Sequence, residues 1–401
     1  MFSRTFKAFS YPEFRLMWIG ACTSTIGTWM QSQAQSWLVF DISKDPKMLG
    51  LDAFLGQIPI FLFTLLGGVI ADRIDRRHIL LASQFVQMGC AILLAILFSL
   101  GVVQIWHILA LSFVVGTAQA FGGPAYQSLI PTLVDKQDLP NAIALNSIQF
   151  NLGRMIGPAL GLLAFTRLGA AWCFYFNGLS YVAVIITLWL VKSRFTPKRG
   201  TESMLESMKQ GFTFIQGQSS MRLLIVIAFL MTMLGIPVLT FLPVFAKEVF
   251  NQGAAGYTVL LEVTGAGSIL GALLVATFHA GRNKWQLTMV TLLLLGATVV
   301  GFALSTNLYL SYFLLFLSSA ALISTFALVS SLVQEILTDD MRGRVMSVYN
   351  MAFRGGMPFG SLISSFYVKS YGAPLVVAVN GVLLSVLGLY FLVVRKKSVA
   401  A

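Results

Sequence analysis

Residues 68–77 read Gly-Val-Ile-Ala-Asp-Arg-Ile-Asp-Arg-Arg and join two apolar runs, 48–71 and 78–100. Each run is long enough to cross a bilayer, because about 20 apolar residues in a helix span its hydrocarbon core. The charged turn between them cannot lie within that core, where charged side chains are costly. This stretch therefore predicts a helical hairpin that enters a membrane and returns.

The rest of the chain has the same character. Of its 401 residues, 57% are apolar and only 10% are charged, and the mean hydropathy is +0.81. Soluble domains carry about 25% charged residues, so an ordinary soluble globule is excluded. The three cysteines, Cys22, Cys90 and Cys173, lie in apolar runs and are odd in number, which predicts no disulfide framework.

A window of about 20 residues detects twelve apolar segments, and each predicts a membrane-spanning helix. These segments far exceed the roughly ten-residue strands of a membrane barrel, so the predicted fold class is all-α. In the first half they are residues 14–40, 48–71, 78–100, 104–130, 141–166 and 171–191. In the second half they are residues 221–246, 256–279, 284–304, 308–335, 342–368 and 374–394.

The longest polar interval, residues 192–220, divides the chain into two predicted six-helix domains, 1–191 and 221–401. Within this linker, residues 202–218 place apolar side chains on one side of a helix, which is typical of a helix that lies on a membrane surface. A plain connector between two bundles is the alternative and the simpler interpretation.

The two halves also repeat. Arg154 and Pro158 in the fifth predicted helix recur 200 residues later as Arg354 and Pro358 in the eleventh. Parallel six-helix repeats are typical of rocker-type transporters, whose substrate site lies between the halves. The sequence therefore predicts two structurally equivalent halves.

The placement of basic residues indicates an orientation. If both termini lie inside, twenty Lys and Arg residues fall on the inner side and five on the outer side. Since positive residues favour the cytoplasm, both termini are predicted to be cytoplasmic. The net charge of +12 then reflects orientation in the membrane, and no nucleic-acid partner is predicted.

The 68–77 turn resembles the Gly-x-x-x-Asp-Arg-x-Gly-Arg-Arg signature of the major facilitator superfamily. The resemblance implies a gating motif, with close helix approach at Gly68 and with Asp72 facing the positive end of the eleventh helix. The sequence departs from the signature at Asp75, where the usual residue is glycine. The gating residues that this resemblance implies are Gly68, Asp72, Arg73, Arg76 and Arg77.

Other phrases narrow the resemblance. The fifth predicted helix partly matches the glycine and proline motif of antiporter branches of this superfamily, and a proline kink packed against a neighbour is the alternative. Residues 125–131, 139–146 and 341–347 are similar to the subfamily of enterobactin exporters and macrolide efflux proteins. That similarity implies a bacterial inner-membrane exporter with a midplane site and proton antiport. The helix-five motif residues are Gly153, Gly157, Pro158 and Gly161.

Few charges fall inside the predicted helices. Arg154 and Arg354 lie near mid-bilayer, so they are expected to face protein or water. Glu262 lies in an apolar setting early in the eighth helix, where a carboxyl group readily holds a proton, and it is the leading candidate for proton coupling. The alternative is a permanent ion pair with an arginine or a position at the outer rim. Asp52 and Asp41 are weaker candidates, since both can reach the interface.

Polar residues within the helices complete the predicted site. Gln31 and Gln35 share a face of the first helix, and a polar stripe on a spanning helix must face a cavity or a partner helix. With the many Phe and Met residues they predict a wide, mostly apolar cavity. Amides that only bridge helices are the structural alternative. The cavity candidates are Gln31, Gln35, Gln119, Tyr126, Asn146, Gln149, Tyr349 and Asn350.

The sequence contains no nucleotide-binding Gly-x-x-x-x-Gly-Lys-Ser/Thr loop, no catalytic triad and no cluster of Cys and His. We therefore predict no enzyme activity, no cofactor and no metal site. The predicted function is proton-coupled export of a small amphipathic molecule, siderophore or drug-like, by alternating access, with the protein a monomer in membrane lipid. Two alternatives stay open: lipid or lysolipid flipping or nutrient import on the same fold, and a membrane sensor without flux.

Overall fold

The computed structural model describes residues 6–191, 204–278, 283–338 and 341–399. All regular secondary structure in these ranges is helical, without any β-strand. A chain in lipid has to satisfy its backbone hydrogen bonds internally, and a helix does so within a single segment. The predicted all-α class is confirmed.

Twelve long helices, α1 to α12, occur within the described ranges, and a linker helix, Met204–Gly217, lies between α6 and α7. The first six are α1 (Pro12–Ser43), α2 (Pro46–Arg73), α3 (Arg76–Ser99), α4 (Ile105–Leu129), α5 (Leu139–Leu168) and α6 (Ala170–Leu190). The second six are α7 (Ser219–Gly235), α8 (Ala254–Phe278), α9 (Lys284–Leu304), α10 (Leu308–Ile336), α11 (Arg342–Tyr371) and α12 (Ala373–Val399). Except at the end of α7, these bounds lie close to the predicted ones.

The seventh helix is interrupted where the sequence predicts a continuous run. α7 ends at Gly235, and two short helical segments follow, Pro237–Thr240 and Leu242–Val244, with a proline at the first position of one and the second position of the other. A proline has no backbone N–H to donate, so it breaks the regular hydrogen-bond pattern of a helix. The last part, Phe245–Val249, is a π-helix. By length and hydropathy, Ser219–Val249 nevertheless forms one candidate membrane span.

Nine candidate spans in the described ranges meet a strict requirement for length and hydropathy. The helices outside this group are α1, α5 and α11, which have 32, 30 and 30 residues. At 1.5 Å per residue each is about 45 Å long or more, which is sufficient to cross a bilayer. Polar content, and not length, distinguishes these three helices. They carry Gln31, Arg154 and Arg354, respectively.

Two compact units make up the chain, one from residues 1–42 and 55–201 and the other from residues 43–54 and 202–401. The beginning of α2 thus belongs to the second unit. In the first unit α3 packs against α4 and α6, and in the second unit α9 packs against α10 and α12. These helices hold equivalent places in the two halves, so the predicted repeat is present in the packing.

The linker helix packs against α11 within the second unit. At Gly211 a Cβ atom would lie 2.9 Å from the carbonyl oxygen of Arg344. Ile215 is buried and Phe212 is exposed. Residues 202 and 203 of the predicted amphipathic segment lie outside the described residues.

The three cysteines are free thiols. Cys90 and Cys173 are buried, and Cys22 on α1 is half-buried. This agrees with their positions in apolar runs.

Candidate transport site

A row of glycines on α5 brings this helix into close contact with α1. A Cβ atom at Gly153 would lie 2.5 Å from Thr25 Cγ2. One at Gly157 would lie 2.5 Å from Trp29 Cβ, and neither distance is compatible with a real side chain. Gly161 is buried at the same interface. Small residues at such spacing allow membrane helices to approach closely.

Arg154 lies directly after the first of these glycines. It is the sixteenth of the 30 residues of α5, and its side chain is half-buried. The guanidinium carbon Cζ lies 5.8 Å from the centre of the Trp29 ring, within the range of a cation–π contact. Pro158 is buried one turn later, and α5 continues through it.

α11 repeats this arrangement with different neighbours. Cβ atoms at Gly356 and Gly360 would collide with α7, at Thr232 and at the carbonyl oxygen of Met233 respectively. Arg354, at the same predicted position as Arg154, is exposed. The two mid-helix arginines therefore differ in their surroundings.

Two of the predicted cavity residues on α1 bind neighbouring helices of the first unit. Gln35 Nε2 donates to Ser112 Oγ on α4 at 2.9 Å. Gln31 Oε1 accepts from Asn177 Nδ2 on α6 at 2.6 Å. The polar face of α1 is thus directed toward α4 and α6 and bridges these helices.

A second network centres on Gln87 of α3, which is buried. Its Oε1 atom accepts from Gln119 Nε2 on α4 and from Tyr181 Oη on α6, each at 3.3 Å. Its Nε2 atom donates to Ser83 Oγ at 3.0 Å. Of these residues only Gln119 was predicted. The apolar run 78–100 carries two amides, Gln84 and Gln87, and their presence there was the available signal for Gln87.

Gln149, Tyr126 and Asn146 also bind within the first unit. Gln149 is 3% exposed, and its Nε2 donates to the carbonyl oxygen of Ala21 at 2.9 Å and to Thr25 Oγ1. Tyr126 Oη donates to Asn146 Oδ1 at 2.7 Å. These contacts join α5 to α1 and α4, respectively.

The two cavity candidates on α11 are neighbours with opposite exposure. Tyr349 is 1% exposed, its ring lies over that of Phe326, and no described group is aligned for a hydrogen bond with its hydroxyl. Asn350 is exposed.

The predicted proton-coupling residues occupy different settings. Glu262 is exposed at the ninth position of α8, and it forms no hydrogen bond or ion pair with any described residue. Asp41 and Asp52 are half-buried, and each takes part in an interaction. Glu262 is therefore the candidate whose carboxylate is open to a proton donor.

The predicted gating turn joins α2 to α3. Asp75 caps α3, because its Oδ1 accepts from the backbone N–H of Arg77 at 2.9 Å. Arg76 Nη1 donates to the carbonyl oxygen of Ser128 at 2.7 Å, and Arg77 Nη2 donates to that of Trp189 at 3.0 Å. The arginines thus bind the ends of α4 and α6. Of the predicted gating residues, Gly68, Asp72 and Arg73 lie outside the part of the structure that is described at the level of side chains.

A cluster that the sequence did not reveal lies at the same end of the first unit. Lys7 Nζ lies 3.0 Å from Asp138 Oδ1, and Tyr11 Oη donates to carboxylate oxygens of Asp138 and Asp135 at 2.8 and 2.9 Å. The bonds from Lys7 and Tyr11 hold the pKa of Asp138 below its usual range. The bond to Asp138 raises the pKa of Tyr11 to about 12. This cluster ties the N-terminal turn to the segment before α5.

Comparison with known families and proteins identifies relatives along nearly the whole chain. A family described as transmembrane secretion effector matches residues 3–401. The staphyloferrin A transporter of Staphylococcus aureus (strain NCTC 8325 / PS 47) is 23% identical, covering 93% of this chain and 94% of that protein. Macrolide efflux protein A of Streptococcus pyogenes is 21% identical, covering 90% of each.

Solved transporter structures share the fold. The nucleoside transporter NupG superimposes with a TM-score of 0.73 at 15% identity, covering 96% of this chain and 99% of that one. A POT family transporter in complex with 5-aminolevulinic acid gives a TM-score of 0.78 at 11% identity, covering 96% of each chain. At these identities the likeness concerns the fold alone.

Proposed function

Because the chain belongs to the transmembrane secretion effector family of the major facilitator superfamily, we propose that it exports a small amphipathic molecule across the bacterial inner membrane by alternating access. The chain is a multi-pass membrane protein and a transporter by family, and not an enzyme. Its relatives include proteins named for staphyloferrin A transport, macrolide efflux and multidrug efflux. These names support export and a siderophore or drug-like cargo.

The exposure of charged side chains at mid-helix carries this proposal. Arg154 is half-buried and Arg354 is exposed, and both lie near the middle of 30-residue helices. A charged group at that depth faces protein or water, because lipid cannot solvate it. Water-accessible arginines deep in α5 and α11 support a path for polar groups through the membrane. A sensor without flux has no need of such a path.

Uncharged polar side chains within the first unit support an amphipathic cargo. Neutral amides and hydroxyls bridge α1, α4 and α6, and the main contributors, Gln31 and Gln35, are only half-buried. Such groups offer hydrogen bonds without requiring that the cargo carry a particular charge. The proposed cargo therefore combines apolar surface with a few polar groups.

Glu262 is the proposed site of proton coupling. A proton carrier must reach water and must not be neutralised permanently by a partner. Glu262 is exposed and unpaired among the described residues. At 1.5 Å per residue it lies about 12 Å along α8.

Transport in proteoliposomes tests both proposals, with Glu262→Gln as the central variant. It is expected to lose transport driven by a pH gradient and to retain counterflow exchange, because only the coupling proton is lost. Glu248→Gln makes the same chemical change at another exposed acid, after α7, and is expected to retain both activities. Gradient-driven transport by Glu262→Gln at the wild-type rate would remove Glu262 from the mechanism.

The direction of transport is tested in vesicles of known orientation. The excess of basic residues on one side supports cytoplasmic termini. Export therefore predicts uptake into inside-out vesicles, whereas uptake into right-side-out vesicles would favour nutrient import. Transfer of a labelled lysolipid between leaflets would favour a flippase.

A further inference from the structure

Arg154 is fixed in place from two sides. On α5, the neighbouring Gly153 and Gly157 pack directly against α1, which leaves little freedom for one helix to shift against the other. On α1, the Trp29 ring lies under the guanidinium, with 5.8 Å between Cζ and the ring centre. The cation is therefore held before any ligand arrives.

An aromatic surface adjoins this cation. The ring of Phe150, one turn earlier on α5, meets the Trp29 ring edge to face, with 5.9 Å between centres and 74° between planes. Phe150 is 52% exposed and Trp29 is half-buried. Apolar ring surface and a cationic group are thus both accessible at one place in the first unit.

The charge of Arg154 has no counterion in the part of the chain that the structure describes. Among the described residues, no acidic side chain forms an ion pair with it and no acceptor takes a hydrogen bond from it. A guanidinium carries five N–H donors, and stacking on a ring leaves the donors at its edge available. A cation near the middle of a membrane-spanning helix, with no acidic partner among the described residues, is unfavourable, so this position favours an anion.

We infer that Arg154 binds an anionic group of the cargo, a carboxylate or a sulfonate, while Trp29 and Phe150 contact the apolar part beside it. This inference rests on the proposed transport function and narrows it, because the cargo becomes an amphipathic anion. Two oxygens of a carboxylate or a sulfonate can accept two parallel hydrogen bonds from a guanidinium, which a lysine cannot provide in the same geometry.

Two dyes with the same ring system test the inference. 8-Anilinonaphthalene-1-sulfonate is an amphipathic anion, and N-phenyl-1-naphthylamine is its uncharged counterpart. Binding of each is measured by equilibrium dialysis against the whole protein in nanodiscs, with empty nanodiscs subtracted. Wild-type protein is expected to bind the anion more tightly. Arg154→Gln is expected to weaken anion binding by about tenfold and to leave the neutral dye unchanged, because one charge-assisted contact is lost.

Two further variants separate this role from general effects. Arg154→Lys keeps the charge and is expected to retain part of the anion preference. Arg354→Gln makes the matched change on α11, where no described aromatic ring lies over the arginine, and is expected to have a small effect. Three results would each overturn the inference. Arg354→Gln could lose as much anion binding as Arg154→Gln, or Arg154→Gln could lose binding of both dyes equally. The third is a wild-type protein that does not bind the anionic dye more tightly than the neutral one.

The inference and the proposed function can fail separately. Anion preference that depends on Arg154, without gradient-driven flux in proteoliposomes, leaves the site standing and rejects the proposed transport. Gradient-driven flux without an anion preference rejects the site and leaves transport standing.

Discussion

α5 and α11 are equivalent helices with the same spacing of arginine and proline, yet their arginines have different environments. The cause is the register of the glycines. Arg154 follows Gly153 by one residue, whereas Arg354 precedes Gly356 by two. Successive residues of a helix are about 100° apart around its axis. Arg154 therefore lies about 100° from Gly153, and Arg354, two residues from Gly356, lies about 200° away, or about 160° by the shorter way round. Arg154 therefore lies beside the packed face, and Arg354 lies opposite it.

The residues against which these glycines pack differ as well. Gly157 packs on Trp29, which supplies a ring for Arg154. Gly356 packs on Thr232, whose hydroxyl donates to the carbonyl oxygen of Phe353 at 2.9 Å. A repeat in the sequence thus preserves helix packing while it allows the two halves to take different chemical roles.

The largest expected effect comes from filling the glycine contacts. In Gly157→Ala the new Cβ would lie 2.5 Å from Trp29 Cβ and 2.8 Å from the carbonyl oxygen of Ile26. We expect a loss of about 1–3 kcal/mol in unfolding free energy from overpacking, measured by thermal unfolding in detergent. Gly356→Ala is expected to be equally damaging. Gly123→Ala, with no atom within 4 Å of its Cβ, is the control and should not destabilise.

Removing the ring beneath Arg154 tests whether this ring causes the difference between the arginines of α5 and α11. Trp29→Leu keeps an apolar side chain and removes the cation–π contact, which contributes about 0.5–2 kcal/mol. We expect weaker binding of both dyes, with the larger loss for the anionic dye, because the Trp29 ring contacts the apolar part of the cargo and also lies against the guanidinium. Trp29→Phe should retain most of the anion binding, and a loss in this variant equal to that of Trp29→Leu would contradict a role for the ring.

A smaller difference is expected between the polar bridges of the two units. Gln87 links α3 to α4 and α6, whereas the hydroxyls of Thr325 and Thr291 link α10 to α9 at 3.0 Å. Hydrogen bonds between membrane helices contribute about 0.6 kcal/mol each on average. Gln87→Leu, which loses two bonds between helices, should therefore lower thermal stability more than Thr291→Val, which loses one bond between helices. The reverse order would show that the bridge of the second unit is the stronger.

The smallest effect concerns pH. The pKa of Asp138 is lowered in the folded protein. Its contribution to folding stability is therefore present at pH values above the ordinary pKa of an aspartate and is lost as pH falls through the lowered pKa. The pKa of Tyr11 is raised to about 12, so its contribution is present below pH 10 and is lost as pH rises toward 12. Asp138→Asn should make thermal stability depend less on pH at both the acidic and the alkaline end, as measured by thermal unfolding across a pH series.

Asp45 of the second unit provides the matched variant for that series. Burial opposes ionisation of Asp45, but bonds from Lys369 and from the backbone of Lys47 outweigh it and lower the pKa. Asp45→Asn should therefore reduce the acid-side dependence and leave the alkaline side unchanged. If Asp45→Asn also changed the dependence of thermal stability on alkaline pH, that dependence could not be assigned to Tyr11.

The sequence predicted the helices well because apolar runs of about 20 residues are a local signal. It predicted a continuous seventh helix, since hydropathy does not register that prolines at positions 237 and 243 lack donors. The contact between Arg154 and Trp29 could not be predicted, because it depends on which faces of two distant segments meet. Gln87 was overlooked for the same reason. An amide in an apolar run gives no indication of its partners.

The burial of the native thiols has a practical consequence for spectroscopy. Cys90 and Cys173 are shielded from labelling reagents by burial, and only Cys22 is partly accessible. One substitution at position 22 would give a nearly silent background for site-directed spin labels or fluorophores. Engineered label pairs, one in each unit, would then report inter-unit distances during the transport cycle.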